Sequence, residues 1–536
     1  MHLPARRLFF IAFALYTVTA WRSEGYHHPD EHFQILELAN HRLGRTPEAD
    51  LPWEFAAQIR PGLQPMLACG LIRLAEVAGL DDPFAQAFLL RLVSGWLCLW
   101  LFFLWADRLE TRTGDQRLGH WLRLAAAFLW FVPYLSVRFS SENWAGLALG
   151  FGLLLLLFPT KGTRQRLFSA ETVRFAVAGF LLALSFFFRF QMGFALAGLG
   201  AWWVWQVQRK NPVHQFWDSL PPLLAGGLAA VALGVWSDAW LYGKLVFTAY
   251  NYFEANILHN MAANWGTSPW WFYFFQSLLT PVPPISVVLL GLLFLGMWRE
   301  RADALAWCLM PFLLAHIAVG HKEMRFLYPM LLPVLVLAVL GLRAWVWRTT
   351  AQIHRKGAET RRASQSLAFK KIKPPRPLVS AVNLNMPGRV ADRVVRIVWW
   401  TAVAVNFLLL PVRSLLAAQE SVPYFRFLYA FAAEHAETTV VFSQEKSLYH
   451  VAGLNVHFYR SPLIRDRVVE KFEADTLLAA TEPNRLILWP KLTLQGTLPG
   501  LRTERLYTYF PDWLLRFNPN DWQGRSRIWS VYRYEQ

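Results

Sequence analysis

Long apolar runs are the feature that most limits how this chain can fold. Eleven runs of about 15 to 20 residues, the length that crosses the hydrocarbon core of a bilayer, are separated by polar loops. They cover residues 8–22, 84–106, 122–138, 143–159, 173–189, 191–207, 220–240, 284–298, 304–320, 326–345 and 395–411. Because 55% of the 536 residues are hydrophobic and 27 are Trp, we expect an all-α polytopic membrane protein rather than a soluble one.

Two apolar segments need a closer interpretation. Residues 64–80 contain Arg73 and Glu76, so we interpret this stretch as an interfacial or re-entrant helix rather than a span. Residues 8–20 resemble the apolar part of a signal peptide. We expect no cleavage, since no small-residue site precedes residues 21–22 and the polar cluster that follows would lose its anchor.

The net charge of +17 follows the expected membrane topology. Lys and Arg are concentrated in alternate loops, and the positive-inside rule places such loops in the cytoplasm. These loops are residues 6–7, 108–123, 161–174, 209–210, 299–301 and 343–396. Topology therefore accounts for the basic residues, so we expect the lipid bilayer and not nucleic acid as the partner of this charge.

The other loops carry the unusual polar clusters. With the N-terminus inside and eleven crossings, these clusters all fall on the face away from the cytoplasm. They lie within residues 28–34, 138–143, 189–191, 238–283 and 320–329. Charged residues gathered at one face of a membrane protein are typical of an active site on that face.

The last quarter of the chain has a different pattern. We predict a transmembrane domain over residues 1–411, with a basic cytoplasmic loop at 346–394, and a small non-cytoplasmic α/β domain over 412–536. Short strands are predicted at residues 438–443, 455–460, 485–490 and 527–534, and a helix at 466–479.

Cysteine usage bears on the compartment. Cys69, Cys98 and Cys308 all lie in apolar stretches and imply no disulfide framework. The C-terminal domain has no cysteine and no Asn-x-Ser/Thr sequon. We therefore favour a bacterial inner membrane with a periplasmic active site, and keep a lumenal site in the endoplasmic reticulum membrane as the alternative.

Two adjacent carboxylates, Asp30 and Glu31, follow the first apolar run. Pro29 restricts the backbone there. One carboxylate can act as a general base while the other orients a neighbour or a sugar hydroxyl. A solvated loop or a helix N-cap is the alternative. His28, Asp30 and His32 are also candidate metal ligands, but nothing else in the chain supplies a partner set, so no metal and no cofactor are predicted.

Two groups of cations are candidates for phosphate binding. His321, Lys322 and Arg325 form a dense patch at an outer membrane boundary, and such groups hold phosphate oxygens well. Simple snorkelling would explain one of them alone. Arg138 and Arg189 lie at span ends, and arginines there tend to be functional or paired, although interfacial anchoring is the alternative.

The loop from residue 238 to 273 is rich in aromatic and amide side chains, which are the groups that bind sugars. Its candidate contacts are Asp238, Tyr242, Asn251, Asn256 and Trp271. The alternative is a belt of Trp and Tyr at the lipid interface, and the two roles are compatible.

Four motifs in order carry a family resemblance. They are His28 to Glu31, Trp53-Glu54 with Ile59-Arg60, Asp238 to Lys244, and His321 to Phe326. Over residues 1–345 the chain resembles the dolichyl-phosphate-mannose-dependent mannosyltransferases of N-glycan and GPI-anchor synthesis, which form glycosyltransferase family 22 of the GT-C superfamily. Residues 59–61, 138–143 and 189–191 depart from the usual motifs, which bears on the acceptor more than on the reaction.

The resemblance implies a GT-C fold and transfer of mannose from a polyprenyl-phosphate donor to a glycolipid or glycan acceptor, with inversion to an α-mannoside. It implies Asp30 as catalytic base and Glu31 as support. The donor phosphate would contact His321, Lys322, Arg325, Arg138 and Arg189. The substrate-binding set would be His28, Glu54, Arg60, Glu142, Asn143, Asp238, Tyr242, Asn251, Asn256, Trp271 and Glu323.

Three other functions were compared with this one. Another GT-C enzyme would move a different sugar with the same machinery. A transporter or flippase would place its key charges near the midplane and often shows repeated halves, whereas here the charges cluster at one face and no repeat is visible. A non-catalytic assembly subunit would not need both the residue 28–31 and the residue 321–326 motifs.

Overall fold

The computed structural model of the chain describes residues 4–158, 170–210, 213–346, 388–435, 437–443, 447–469, 484–489, 502–518, 521–522 and 529–535. The chain divides into two compact units. Unit 1 comprises Met1–Ala20 and Leu92–Leu415, and unit 2 comprises Trp21–Arg91 and Leu416–Gln536. The predicted domain boundary near residue 411 stays a prediction; unit 2 resumes at Leu416 and also includes the segment after the first helix.

Unit 1 is built from helices at each predicted apolar run. Their bounds are Ala5–Arg22, Pro83–Thr113, Gln116–Phe128, Phe131–Ser136, Ser141–Leu157, Ala170–Phe188, Met192–Lys210, Val213–Tyr242, Thr248–Phe253, Phe272–Leu279, Ile285–Arg299, Ala304–Ala318, Met324–Val346 and Gly388–Leu415. Five of the described helices are long and apolar enough to cross a membrane by length and composition. The count of eleven crossings and their direction stay predictions.

Glycine lets helices in unit 1 approach one another closely. A Cβ added at either Gly179 or Gly226 would overlap a backbone carbonyl oxygen of the facing helix, and the same reciprocal contact occurs at Gly296 and Gly341. Between helices in lipid there is little hydrophobic driving force, so close backbone packing of this kind carries the association.

One predicted span is broken at Leu129 and Trp130. The side chain of Asn406, from the helix Gly388–Leu415, accepts a hydrogen bond from Trp130 N at 2.9 Å and donates to Phe128 O at 2.7 Å. Tyr16 donates its hydroxyl hydrogen to Ala126 O at 2.8 Å. A helix break at membrane depth is tolerated where neighbouring side chains satisfy the freed backbone groups, and these two polar residues do so.

Unit 2 contains short helical segments, two longer helices and a sheet. Its helical segments are Pro29–Glu31, His32–Leu36, Glu37–Arg42, Glu48–Asp50, Trp53–Ala56, Leu63–Val77, Val422–His435 and Asp512–Leu515. The stretch predicted as an interfacial helix at residues 64–80 is a helix, Leu63–Val77; its interfacial position stays a prediction.

The described strands of unit 2 are β1 Thr438–Ser443, β2 His450–Val451, β3 Leu454–Asn455, β4 Ile464–Val469, β5 Arg485–Trp489, β6 Arg502–Thr508 and β7 Ser530–Glu535. Five of them form one sheet in the order β4-β1-β5-β7-β6. Strand β1 pairs in parallel with β4 and β5, whereas β7 is antiparallel to β5 and β6, and β2 pairs with β3 separately. The fold class, helical with a small α/β region, is confirmed.

Three local predictions for this sheet need correction. The helix at 466–479 is wrong over residues 466–469, which belong to β4, because pairing with strand β1 overrides the helical preference of a charged segment. Residues 470–479 lie outside the described residues. The strand at 455–460 ends at Asn455, because the next backbone amides bind a buried carboxylate instead of a strand. Strand β6 was not predicted. The strands at 438–443, 485–490 and 527–534 are confirmed with shifts at their ends.

The predicted basic loop lies mostly outside the described residues, and a helix begins at Gly388.

Candidate active site

The predicted catalytic pair lies in the first turn of a helix in unit 2. The helix begins at Pro29, whose ring favours that position, and His28 caps it by accepting the backbone hydrogen of Asp30 at its Nδ1, 3.2 Å away. The alternative in which Asp30 is the cap is therefore wrong. The Asp30 side chain is 25% exposed, with Oδ1 at 3.4 Å from His28 Nδ1. An ionised carboxylate is stabilised at a helix start by the helix dipole.

The carboxylate of Glu31 turns back along the chain. Its Oε2 accepts the backbone hydrogen of His27 at 3.2 Å. The two adjacent acids therefore differ in use: Glu31 tightens the turn into the helix, and Asp30 interacts with the ring of His28 at the solvent-accessible side.

The metal interpretation finds no support in the described part of the chain. No group of three or more His, Cys, Asp or Glu side chains there has the spacing to hold a metal ion. His32, one of the candidate ligands, is fully buried and its Nε2 lies 2.8 Å from Oε1 of Glu37. That ring nitrogen is used in an internal hydrogen bond.

Two predicted substrate contacts of unit 2 pair with each other. Arg60 Nη2 donates to Glu54 Oε1 at 3.2 Å, and Gln34 Nε2 donates to the same oxygen at 3.1 Å. Glu54 is buried in the short helix Trp53–Ala56. The structure thus brings Glu54 and Arg60 together, as their shared motif suggested.

In unit 1 the structure gathers charged residues from three loops around Glu142. The Glu142 Oε1 atom lies 2.8 Å from Arg189 Nη1 and 3.1 Å from Arg325 Nη1. Arg325 also binds both carboxylate oxygens of Glu323, whose Oε1 is 3.0 Å from His321 Nε2. We call Glu142, Arg189, His321, Glu323 and Arg325 the Glu142 cluster.

Both arginines of this cluster lie against Phe326. Their guanidinium carbons are 4.9 Å (Arg189) and 5.2 Å (Arg325) from the ring centroid, within the range of a cation–π interaction. Arg189 also donates to Ser141 Oγ at 3.0 Å. Its Nε is buried and has no hydrogen-bond partner among the described residues. Both guanidinium groups are thus held in place, and the Nε hydrogen of Arg189 is a donor that none of these contacts uses.

Lys322 and His321 contact the aromatic loop rather than the cluster arginines. Lys322 Nζ donates to Ser268 O at 3.0 Å and also to Val319 O, and His321 Nδ1 lies 2.9 Å from Gly266 O. The backbone hydrogen of Ser268 in turn binds Gly320 O at 2.9 Å. The phosphate-binding role predicted for Lys322 stays a prediction.

Arg138 and Asn143 form the polar turn that precedes the helix Ser141–Leu157. Arg138 is nearly fully buried, with its guanidinium carbon 4.9 Å from the Tyr134 ring centroid. Asn143 Nδ2 donates at 2.8 Å to both Ser136 O and Arg138 O. The amide of Asn143 therefore holds the backbone around Arg138, and substrate roles for these two residues stay predictions.

The aromatic loop is anchored by Asp238, and several of its aromatic side chains are exposed. Thr248 Oγ1 donates to the buried Asp238 carboxylate. Asn256 Nδ2 donates to a loop carbonyl, Tyr252 O, at 3.2 Å, and Trp271 is 50% exposed. The predicted sugar contacts Tyr242, Asn251, Asn256 and Trp271 thus remain candidates on a loop that exposes part of its aromatic side chains.

Sequence reasoning missed Glu37 and its partners. Glu37 is fully buried and accepts hydrogens from His32, from the Thr46 hydroxyl, and from the backbone nitrogens of His457 and Phe458. A signal was available, since Glu37 is an acid in an otherwise apolar stretch at residues 35–39. Its partners at 457–458, however, are more than four hundred residues away in sequence, so nothing local identifies them.

Comparison with known proteins gives the family. The model of the Alg9-like mannosyltransferase family matches residues 8–374. GPI mannosyltransferase 3 from Yarrowia lipolytica is 29% identical over 374 residues, covering 64% of this chain and 67% of that protein. GPI alpha-1,2-mannosyltransferase 3 from Bos taurus is 25% identical, covering 56% of this chain and 52% of that protein. The matches thus span about half to two thirds of these relatives.

The fold agrees with a solved structure. The crystal structure of ArnT from Cupriavidus metallidurans bound to undecaprenyl phosphate superposes with a TM-score of 0.51 at 13% identity, over 98% of this chain and 97% of that one. At this identity the likeness shows the fold alone, and it confirms the expected GT-C architecture. The multi-pass membrane prediction is also confirmed.

The predicted compartment is not supported in its first choice. The relatives from Yarrowia lipolytica and Bos taurus are eukaryotic, so the preference for a bacterial inner membrane has no support. The family resemblance read from the four motifs is confirmed. Because the family model covers more than half of the chain, this protein belongs to the Alg9-like mannosyltransferase family.

Proposed function

We propose that this protein is an inverting α-mannosyltransferase that takes mannose from a polyprenyl-phosphate donor and transfers it to a glycolipid acceptor at the membrane face away from the cytoplasm. Family membership supports the reaction class. The observation that carries the donor assignment is the Glu142 cluster, because it holds two buried guanidinium groups and a leftover donor of Arg189.

In this proposal Asp30 is the general base. The acceptor hydroxyl oxygen bonds to the anomeric carbon as the bond from that carbon to the donor phosphate oxygen breaks. The hydroxyl proton passes to Asp30, and the bond electrons leave with polyprenyl phosphate. A partly exposed carboxylate at a helix start, with the His28 ring nearby, can be reached by an acceptor hydroxyl and take up its proton. Glu31 supports the turn.

Arg189 and Arg325 are the proposed ligands of the donor phosphate. A buried N–H without a partner costs about 1–3 kcal/mol, and a phosphate oxygen is the acceptor that would remove this cost at Arg189 Nε. Glu142 and Glu323 already balance the two guanidinium charges. The carboxylates therefore keep the arginines oriented when no donor is bound, so that little rearrangement is needed on binding.

The names of the relatives extend the proposal to the acceptor, and their eukaryotic sources extend it to the compartment. A mannose-bearing glycosylphosphatidylinositol precursor is the acceptor to test first, and an α-1,2 linkage is the new bond expected in the product, since relatives named for this activity align with the chain. The endoplasmic reticulum membrane, with a lumenal site, is the matching compartment. A comparison of mannose donors with glucose and arabinose donors would distinguish a mannosyltransferase from a GT-C transferase of another sugar.

Transfer assays on purified protein test the donor site. Arg325→Gln should raise the KM for polyprenyl-phosphate mannose by roughly ten- to hundredfold, because a charge-assisted hydrogen bond contributes about 1.5–3 kcal/mol. The matched control is Arg117→Gln, an exposed arginine paired with Asp115, which should leave the KM unchanged. An Arg325→Gln protein with wild-type KM and turnover would refute the phosphate assignment. In a separate assay, movement of the donor across the membrane of reconstituted vesicles in the absence of acceptor would favour a transporter.

Cysteine labelling tests the topology. In a protein with Cys69, the most exposed native thiol, changed to Ala, Glu48→Cys should react only from the face away from the cytoplasm and Arg117→Cys only from the cytoplasm. Both positions are exposed. Reaction of both from the same side would contradict the assigned direction of the helices.

A further inference from the structure

The helix that carries Asp30 is tied to the C-terminal part of unit 2 by a buried carboxylate. Glu37 Oε1 accepts hydrogens from His32 Nε2 at 2.8 Å and from the backbone nitrogens of His457 and Phe458 at 2.8 and 2.9 Å. Its Oε2 accepts the Thr46 hydroxyl hydrogen at 2.6 Å. Four donors from three separate segments therefore meet at one side chain.

These hydrogen bonds keep Glu37 ionised although it is fully buried. Burial by itself raises the pKa of a carboxyl group, but the hydrogen bond and electrostatic attraction of His32, together with the hydrogen bonds from Phe458 and Thr46, outweigh it, so that the pKa of Glu37 is lowered. Most of its donors are neutral dipoles, which hold a buried carboxylate without adding a compensating charge. A buried group satisfied in this way has one geometry and little freedom to move.

The path from Glu37 to Asp30 is short and stiff. Pro29–Glu31, His32–Leu36 and Glu37–Arg42 follow one another as helical segments, the middle one a π-turn in which the backbone hydrogen of Glu37 binds His32 O. Asp30 is two residues before His32. π-Turns of this kind are frequent at functional sites, and here the widened turn aligns His32 and Glu37, five residues apart, on one face.

Aromatic packing fixes the other side of His32. Its ring stacks on Tyr459 with a centroid distance of 5.5 Å and an interplanar angle of 14°, and lies 5.4 Å from the Tyr26 ring. Tyr459 follows directly after the two residues whose amides bind Glu37. His32 is therefore held by the segment 457–459 through both its ring face and, by way of Glu37, its ring nitrogen.

A second acid reinforces the same connection. Asp50 Oδ2 lies 2.8 Å from His457 Nε2, and Asp50 Oδ1 accepts from Asn455 Nδ2 at 2.8 Å. The segment 455–459 thus donates hydrogen bonds to two acids, Glu37 and Asp50, of the earlier part of unit 2. This segment is beyond residue 374, where the family match ends.

We propose that Glu37 is a positioning residue for the transfer reaction: it fixes the Asp30 helix to residues 457–458, so that the C-terminal part of unit 2 sets the position of the base. The inference rests on the proposed function, in which Asp30 accepts the proton. It gives the C-terminal region a role in catalysis without placing any of its side chains on the substrate.

The test uses the purified full-length protein and its mannosyl transfer. Glu37→Gln keeps the size of the side chain and one acceptor oxygen for the amides, but removes the charge that His32 and Thr46 bind. We expect kcat to fall about ten- to hundredfold, since small displacements of a catalytic group cost this much, with an unchanged donor KM. The control is Glu48→Gln, an exposed acid of the same unit, which should match the wild type.

A double mutant separates positioning from general loss of structure. If Glu37 acts through Asp30, adding Glu37→Gln to Asp30→Asn should lower the residual rate by less than twofold, because the base is already gone. A residue that merely stabilises the fold would lower the rate by the same factor in both backgrounds, and that result would overturn the inference. So would wild-type kcat in the single variant.

A milder variant covers the case in which Glu37→Gln does not fold. Thr46→Val removes one donor from the carboxylate and preserves side-chain shape; we expect a kcat loss of about threefold to tenfold, again absent in the Asp30→Asn background. If Asp30→Asn itself transferred mannose at the wild-type rate, the proposed base would be wrong. If only the Glu37 and Thr46 variants were unaffected, the positioning role alone would be lost.

Discussion

Glu37 and Glu142 are both buried carboxylates, but they are surrounded by different donors. Glu142 in unit 1 binds two guanidinium groups, whereas Glu37 in unit 2 binds an imidazole, a hydroxyl and two backbone amides. Removing Glu142 would leave buried positive charge, while removing Glu37 would leave mostly neutral dipoles. Glu142 thus balances buried positive charge, whereas Glu37 holds the segments around it in one geometry.

Asp30 makes the contrast sharper because its side chain is partly exposed, with the His28 ring 3.4 Å away. A group that must gain and lose a proton during turnover works best where both forms are tolerated, and the 25% exposure of Asp30 provides this. The arginines of the Glu142 cluster never change charge in the reaction, so their burial carries no such cost during the catalytic cycle. The exposure of these groups thus matches their proposed roles: Asp30, which exchanges a proton, is partly exposed, whereas the arginines, which keep their charge, are buried.

The largest expected effect comes from deleting Glu142. Glu142→Ala should lower the free energy of unfolding by about 3–5 kcal/mol, because removal of one partner from a buried ion pair leaves uncompensated charge. Arg189 suffers most, since Arg325 keeps Glu323. Denaturant unfolding in detergent measures the loss. Glu323→Ala, at a half-exposed position, serves as the comparison and should cost much less; equal losses would contradict the charge-balance reading.

The next effect concerns activity alone. Asp30→Asn should reduce transfer by on the order of a hundredfold or more, since the amide keeps the shape but cannot take a proton. Glu31→Gln should cost less, because its oxygen can still accept the His27 hydrogen. Asp81→Asn, an exposed acid of unit 2, is the control. Lowering the pH should not restore the Asn variant, and wild-type turnover in that variant would redirect the search for the base to Glu142 and Asp238.

The smallest effect is a pH dependence of stability at Glu37. Because the folded-state pKa is lowered from the ordinary value of 4.5, the carboxylate contributes stability above that value and loses it as the pH falls through the folded-state pKa. The difference in unfolding midpoint between the wild type and Glu37→Gln should therefore be present at neutral pH and shrink in acid. A difference that grows in acid would mean that the folded-state pKa is raised.

The sequence predicted the helices at the apolar runs because that signal is local: a run of membrane length needs no partner to be recognised. The start of the helix at Pro29 was not predicted, since the only helix considered there was one capped by Asp30, whereas His28 is the cap. The ends of β4 and the contact of Glu37 with residues 457–458 depend on pairing with distant segments. Likewise, Arg189 and Arg325 were recognised as unusual one by one, but their shared partner Glu142 became visible only in the folded chain.

The broken span at Leu129 and Trp130 has a consequence for biosynthesis. Its freed amide and carbonyl are satisfied by Asn406, which is 276 residues downstream of Trp130. At about 5–20 residues per second of synthesis, the break waits roughly 14–55 s for its partner helix to be made. During that interval the ribosome-bound intermediate holds an incomplete helix in the bilayer, and a chain truncated before Gly388 would never complete it. The helix Gly388–Leu415 thus completes, late in synthesis, the hydrogen bonding of a break made much earlier in the chain.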